Sequence, residues 1–295
     1  MKFYKFWAPA EAQIEAGRRS WTLRAYGGSN QSLDDARRRA REVADRAATA
    51  ITAGRAPAEY DYAERPPREE IIEEIASGDD AIAVITRNSY GSLVLNTSHA
   101  MFIDVDYPRN INRAKDAATL GGGVKSLWGR LTGQSAKTIA PAPNQDDLLL
   151  ARFEQVTNSH SGLGIRVYRT AAGYRLLATS QPYDPMSPEA EKLLSAFGSD
   201  ALYMRLCKAQ QCFRARLTAK YWRCAAAKPP RRYPWTTAEE ESDYRQWEQA
   251  YHKQANKFAV CSHITEFGES AICDAVAPVL ELHDRLTIND QAQLG

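Results

Sequence analysis

No stretch of the 295-residue chain approaches the roughly 18 consecutive apolar residues of a membrane-spanning helix, so no membrane span is expected. The opening Met1-Lys2-Phe3-Tyr4-Lys5-Phe6-Trp7 lacks the long apolar stretch and small-residue cleavage site of a secretory leader. A cytoplasmic location is the expectation. Cysteine is scarce, at five residues, and in a reducing compartment these read as thiols or metal ligands, not disulfides. Charge of either sign is not in large excess: the net is +2, so local clustering must carry any argument about polyanion binding. Internal repeats are absent too.

Against these absences stands 44% apolar content, enough for a sizeable core, with 25% charged residues. The length fits one elaborated core or a core with an appendage. Residues 3–7 and 21–26 read as strands, with a short helix over 9–16 between them, and Gly27-Gly28-Ser29-Asn30 reads as a turn. Ser32 with Asp35 in the capping-box position starts a helix to about Ile51. Arg37, Arg38, Arg39 and Arg41 oppose the dipole near its start and read as a solvated face. After a Pro- and charge-rich connection over 54–68, Pro67 is placed to open a helix to Ala76. Residues 81–86 and 92–96 form a hairpin around Asn88-Ser89-Tyr90-Gly91, and a third strand follows at once. Residues 109–146 carry Gly121-Gly122-Gly123 and Ala140-Pro141-Ala142-Pro143 and read as a flexible loop or lid. Asp146 or Asp147 then caps a helix through Val156.

The clearest hairpin is Gly164 to Thr179 around Ala171-Ala172-Gly173, and Ser187-Pro188 starts a helix. Residues 201–207 and 212–218 read as a further strand pair, and the chain beyond Pro234 as helical. The expectation is an α/β (α+β) protein. Residues 1–190 form a small mixed or antiparallel sheet with flanking helices, and 191–295 form a basic, Cys-containing, mostly helical region packed on it.

The sharpest chemical signal is Met101-Phe102-Ile103-Asp104-Val105-Asp106-Tyr107-Pro108. Asp104 and Asp106 lie two apart in an apolar run, so in a strand both face the same way. Like charges side by side are costly to bury, so a shared cation is expected, with Mg²⁺ or Mn²⁺ suiting hard oxygen ligands. The alternative is a pair at a strand end held by salt bridges. Such a metal site serves phosphoryl or nucleotidyl transfer, which also needs cations for phosphates. Arg166, Arg169 and Arg175 on the hairpin are candidates. So are Arg205, Lys208, Arg214, Arg216, Lys220 and Arg223 further on, with Arg214 and Arg216 sharing a strand face. All of these could equally be ordinary exposed cations.

An apolar-apolar-Asp-apolar-Asp strand, then a helix, then a glycine-bounded hairpin resembles the archaeo-eukaryotic primase and primase-polymerase superfamily. The likeness covers about residues 80–180, a third of the chain. It implies a palm- or RRM-like core, with Asp104 and Asp106 as metal ligands. Asn158-Ser159-His160-Ser161-Gly162-Leu163-Gly164 lies where the family's nucleotide-contacting Ser-x-His motif falls, which implies an assisting role for His160; Arg166, not histidine, stands at the strand itself. The family's third carboxylate has no motif here; Asp200 and Asp284 are candidates. Met101 to Asn112 also resembles the Asp-x-Asp strand of diguanylate cyclases, but their Gly-Gly-Asp/Glu-Glu-Phe turn is absent, which argues against cyclase activity.

Cys207, Cys212, Cys224 and Cys261, with His263 close to the last, could form a structural zinc site, although the spacing fits no standard finger. Buried free thiols are the alternative. A cysteine nucleophile with a histidine base has no local motif. His99 precedes the acidic strand, and His283 sits beside Asp284. Tyr221, Trp222, Tyr233 and Trp235 flank Lys228-Pro229-Pro230-Arg231-Arg232, a mix that can stack bases and hold phosphates or anchor a linker to the core. The expected activity is metal-dependent nucleotidyl or phosphoryl transfer on nucleotides or nucleic acid. The rivals are a non-enzymatic module binding nucleic acid or a protein through the basic strands at 205–223, and a degenerate relative without catalysis.

Overall fold

The computed structural model describes residues 1–16, 19–54, 66–77, 80–107 and 144–295. The expected loop over 109–146 lies largely outside these residues, as does most of the connection over 54–68. Among the described residues the order is β1 (Phe6–Ala16), β2 (Arg19–Ser29), α1 (Leu33–Thr52), β3 (Glu70–Ser77), β4 (Asp80–Arg87), β5 (Leu93–Thr97) and β6 (Phe102–Asp106). Then follow α2 (Gln145–Asn158), β7 (Gly164–Thr170), β8 (Gly173–Ala178), α3 (Pro188–Phe197), α4 (Ala201–Gln210) and β9 (Phe213–Arg216). The chain closes with α5 (Ala238–Ala255), β10 (Phe258–Ala259), β11 (Cys261–Gly268), α6 (Ala277–Thr287) and β12 (Gln293–Leu294). The α+β class is as expected. Two four-stranded sheets, ordered β3-β4-β5-β9 and β11-β7-β8-β6, are antiparallel throughout.

Strand β1 replaces the short helix expected over 9–16. Glu11, Gln13 and Glu15 are exposed while Ala10, Ala12 and Ile14 turn inward, a period of two that the alanine-rich composition disguises. β2 runs through the expected turn at Gly27 and Gly28. The reason is close packing: a Cβ on Gly27 would lie 2.4 Å from the Ala36 carbonyl and 2.3 Å from the Ala40 amide. Only a glycine lets the hairpin touch the backbone of α1, whose buried face is Ala36, Ala40 and Ala44. Ser32 caps α1 by accepting the Asp35 N–H at 3.1 Å. The arginine run pairs along its own helix, Arg37 with Asp34, Arg38 with Asp35 and Glu42, and Arg39 with Asp35.

The helix expected to run from Pro67 to Ala76 is instead the edge strand β3, Glu70–Ser77. The Glu-Ile-Ile-Glu-Glu-Ile spacing suits either period, and pairing with β4 through two bulges decides it. Residues 201–207 are the reverse case: Asp200 accepts the Tyr203 N–H at 3.0 Å and caps a helix. Beyond residue 190, β9 and β11 complete the two sheets begun before it, so the C-terminal third is interwoven with the core and only partly helical.

The sheets meet at β6 and β9. Tyr203 Oη lies 2.9 Å from the Phe102 carbonyl of β6 and 3.1 Å from the Arg214 carbonyl of β9. The main core gathers Phe102, Ile103, Phe153, Tyr174, Leu177, Phe197 and Phe213, all fully buried. Each side chain of this size contributes about 1.5–3 kcal/mol on burial. A smaller cluster centred on Tyr244, Trp247 and Tyr251 packs α5 against the segment from Ala219 to Trp235.

Candidate nucleic-acid interface

On β6, Phe102, Asp104 and Asp106 share one face, with Phe102 buried, Asp104 intermediate and Asp106 exposed at the strand end. Register places Arg175 of β8 directly opposite Asp104. The Arg175 Nε donates to Asp104 Oδ1 at 2.9 Å, and Nη2 lies 3.5 Å from Oδ2. Arg175 is 2% exposed; its Nη1 donates to the Arg216 carbonyl at 2.9 Å and faces His283 Nε2 at 3.5 Å. Burial alone would push the Arg175 guanidinium down, but Asp104 outweighs it and the shift is upward. Asp104 is therefore neutralised by its own arginine.

Among the described residues Asp106 has no such partner. Desolvation first, then the charge of Asp104, raises its carboxyl above the ordinary range; Asp200 adds to this, and Lys220 and Arg216 oppose it. Asp200 approaches through the backbone: its N–H donates to the Asp104 carbonyl at 3.3 Å, and Ser199 Oγ donates to the same oxygen at 3.1 Å. Asp200 is thus the third carboxylate of this neighbourhood, but its side chain caps α4. Asp284 lies elsewhere, accepting from Tyr168 Oη at 2.7 Å and pairing with Arg166 at 3.1 Å. Among the described residues no group of three or more His, Cys, Asp or Glu side chains is placed to hold a metal ion. A clamp of two free aspartates does not fit the donor set, because Asp104 already spends its oxygens on Arg175.

The candidate phosphate arginines separate. Arg166 is paired with Glu266 and Asp284. Arg169 pairs with Asp146 at 2.7 Å, bonds the Tyr107 hydroxyl, and lies over the Tyr174 ring. It thereby ties the end of the β6 segment to the start of α2. Arg214 is held by Glu69 through contacts of 2.8 and 2.6 Å, and Lys208 by Glu191. Arg216, Lys220 and Arg223 are different: among the described residues none has a carboxylate within ion-pair reach. Burial, then Arg175, lowers the Arg216 guanidinium to about 10. Burial, then Arg216 and Arg223, lowers the Lys220 ammonium to about 8, with Asp106 and Asp104 pulling the other way.

Exposed rings stand beside this trio. Trp222 is 49% and Tyr90 50% exposed, with ring centroids 5.4 Å apart, and Lys220 Nζ lies 5.3 Å from the Trp222 ring. Tyr221 packs edge-on against Trp222, whereas Tyr233 and Trp235 lead toward the α5 aromatic cluster.

His160 is not part of this neighbourhood's hydrogen bonding. It is exposed beyond the end of α2, its Nδ1 within 2.8 Å of the Val156 carbonyl and 3.1 Å of Ser159 Oγ. His99 Nε2 bonds the Ala275 carbonyl at 2.9 Å. The five cysteines are free thiols. Cys207 and Cys212 are in electrostatic range of each other, and burial pushes both thiols up, Cys212 to about 12. Cys224 sits in the small aromatic cluster, and Cys261 bonds Thr287 Oγ1 at 3.2 Å. The proposed zinc ligands are not assembled into one site.

Sequence reasoning missed one constellation. Cys261 Sγ lies 4.0 Å from His283 Nε2, and His283 Nδ1 lies 2.9 Å from Asp284 Oδ1. The order resembles a thiol nucleophile with its base, but Cys261 and His283 are both 0% exposed and burial raises the thiol. A raised thiol sealed from solvent is a packed polar core, not a nucleophile.

No family model matches the chain, and no similar protein was found among the curated proteins or the solved structures compared.

Among the described residues, no helix is long and apolar enough to cross a membrane.

Proposed function

We propose that this chain binds nucleic acid, with Arg216, Lys220 and Arg223 taking backbone phosphates and Trp222 and Tyr90 offering their faces to bases. The observation that supports this most is the unpaired cationic trio beside two exposed rings. Among the described residues these three cations have no carboxylate within ion-pair reach, and their mutual repulsion is part of what lowers Arg216 and Lys220 against the opposing pull of Asp104 and Asp106. Phosphate oxygens supply the missing countercharge, and base–aromatic stacking adds about 1–3 kcal/mol per base. Anisotropy of a labelled single-stranded oligonucleotide tests this. Lys220→Met, Arg223→Met and Trp222→Ala should each weaken binding, and three variants that bind like the parent chain would remove the basis of the reading.

A second reading, metal-dependent nucleotidyl or phosphoryl transfer of the primase-polymerase kind, is favoured by one arrangement: Asp104, Asp106 and Asp200 crowd the same cationic neighbourhood. It requires Asp104 to leave Arg175. Calorimetric Mn²⁺ titration of the parent chain and of Asp106→Asn tests it; equal heats from both count against catalysis.

A further inference from the structure

A cavity of about 650 Å³ lies between the β1–β2 hairpin, the start of β3 and the segment 231–235, and it shares no residue with the Arg216–Lys220–Arg223 trio. Its size suits a mononucleotide-scale ligand. Trp7, Tyr26, Trp235, Arg68, Arg231 and Arg232 line it. Two features point to a ligand with both a flat face and negative charge.

The first is charge. Glu69 and Glu70 also line the cavity, but Glu69 is held by Arg214, and Glu70 by Arg245 and Arg87. Among the described residues Arg68, Arg231 and Arg232 have no carboxylate within ion-pair distance, and Arg231 feels a nearby carboxylate, Glu240, so the cavity wall carries three guanidinium groups without a direct salt bridge there. The Arg68 guanidinium already lies 3.8 Å from the Tyr26 ring centroid, a stacked arrangement that a planar ligand can extend.

The second is unmet hydrogen bonding. Trp7 is 8% exposed, and among the described residues its buried indole N–H has no partner; the indole N–H of Trp235 is likewise buried and unpartnered among them. Buried donors left unpaired are rare and call for an acceptor. An acceptor-rich ring flanked by aromatic walls, with phosphates reaching Arg231 and Arg232, answers both observations.

We infer that this cavity is a second binding site, specific for a nucleoside phosphate, with the base among Trp7, Tyr26 and Trp235 and the phosphates on Arg68, Arg231 and Arg232. The inference is independent of the nucleic-acid reading at Lys220.

Calorimetric titration of the full chain with ATP, adenosine and inorganic tripolyphosphate tests it. ATP should bind saturably, and adenosine and tripolyphosphate each at least tenfold more weakly. Arg231 and Arg232 are both exposed, so Arg231→Ala/Arg232→Ala should keep the parent melting profile and weaken ATP at least tenfold. Arg68→Lys, which keeps the charge and loses the flat stacking face, should weaken ATP severalfold and serves if the double variant misfolds. Lys220→Met should leave ATP binding unchanged. Tripolyphosphate as tight as ATP, no saturable ATP binding, or arginine variants that bind like the parent would each overturn the inference. ATP binding lost only in Lys220→Met would assign it to the other site instead.

Discussion

Replacing Asp104 with Asn separates a structural ion pair from a metal clamp. Arg175 is 2% exposed, so its charge has no route to water once Asp104 is neutral. The variant keeps an amide oxygen near Nε and the bond from Nη1 to the Arg216 carbonyl, but loses the countercharge. Removing one partner of a fully buried pair costs about 3–5 kcal/mol. The Asp104 side chain is 32% exposed, so water shares the loss, and about 2 kcal/mol is the expected cost. At about 2–4 °C per kcal/mol for a chain approaching this size, the midpoint should fall by roughly 4–8 °C. Thermal unfolding for the midpoint and urea unfolding for the free energy, both at neutral pH with Arg175→Met and the double variant completing the cycle, measure it. Loss of both partners should cost less than the sum of the single changes. A metal clamp predicts the opposite pattern, since relief of a like-charge pair leaves stability intact while Mn²⁺ affinity drops. Stability of Asp104→Asn within about 0.5 kcal/mol of the parent, the range of an uninvolved surface change, would refute the ion-pair reasoning.

Asp106→Asn should raise the melting temperature slightly at neutral pH. A carboxyl whose folded pKa is raised stabilises the fold only at low pH and loses that contribution as pH rises, so its removal relieves the neutral-pH fold; thermal scans read the sign. Oligonucleotide affinity should weaken as pH rises through about 8, where Lys220 loses its proton, and Lys220→Met should flatten that limb. His283 is buried neutral: burial first, then Arg175, holds its pKa below the ordinary value. The unfolded imidazole takes a proton below about pH 6.5 while the folded one resists. Stability is therefore fully present above that pH and falls below it, by at most about 1.4 kcal/mol per pH unit for one proton. Urea midpoints of His283→Gln should show a shallower acid slope, with His252, also held down, leaving a residue of it.

Local signals were readable wherever one short segment settles its own structure. Ser32, Ser187 and Thr237 each cap a helix through the N–H three residues on, and Gly91 and Gly173 turn the two hairpins with positive φ. Signals that depend on a distant partner were not readable. Glu70–Ser77 and Cys261–Gly268 are strands because β4 and β7 await them, not because of their own spacing. The same holds for the site. That Asp104 and Asp106 share a face follows from alternation, but that Arg175 stands opposite Asp104 follows from the register of β6 on β8, separated by 71 residues of chain. Arg166, Arg169 and Arg214 look alike in sequence to Arg216, and only the positions of Asp284, Asp146 and Glu69 distinguish these engaged arginines from Arg216, which has no carboxylate in ion-pair reach among the described residues.

The slope of oligonucleotide affinity against salt tests the phosphate-binding trio most directly. Each phosphate contact on a single strand contributes about −0.7 to the slope of log K against log salt. Arg223→Met and Lys220→Met should each make the slope shallower by about that amount, and by about twice that together. A slope unchanged in the double variant would place the phosphates somewhere else on the protein.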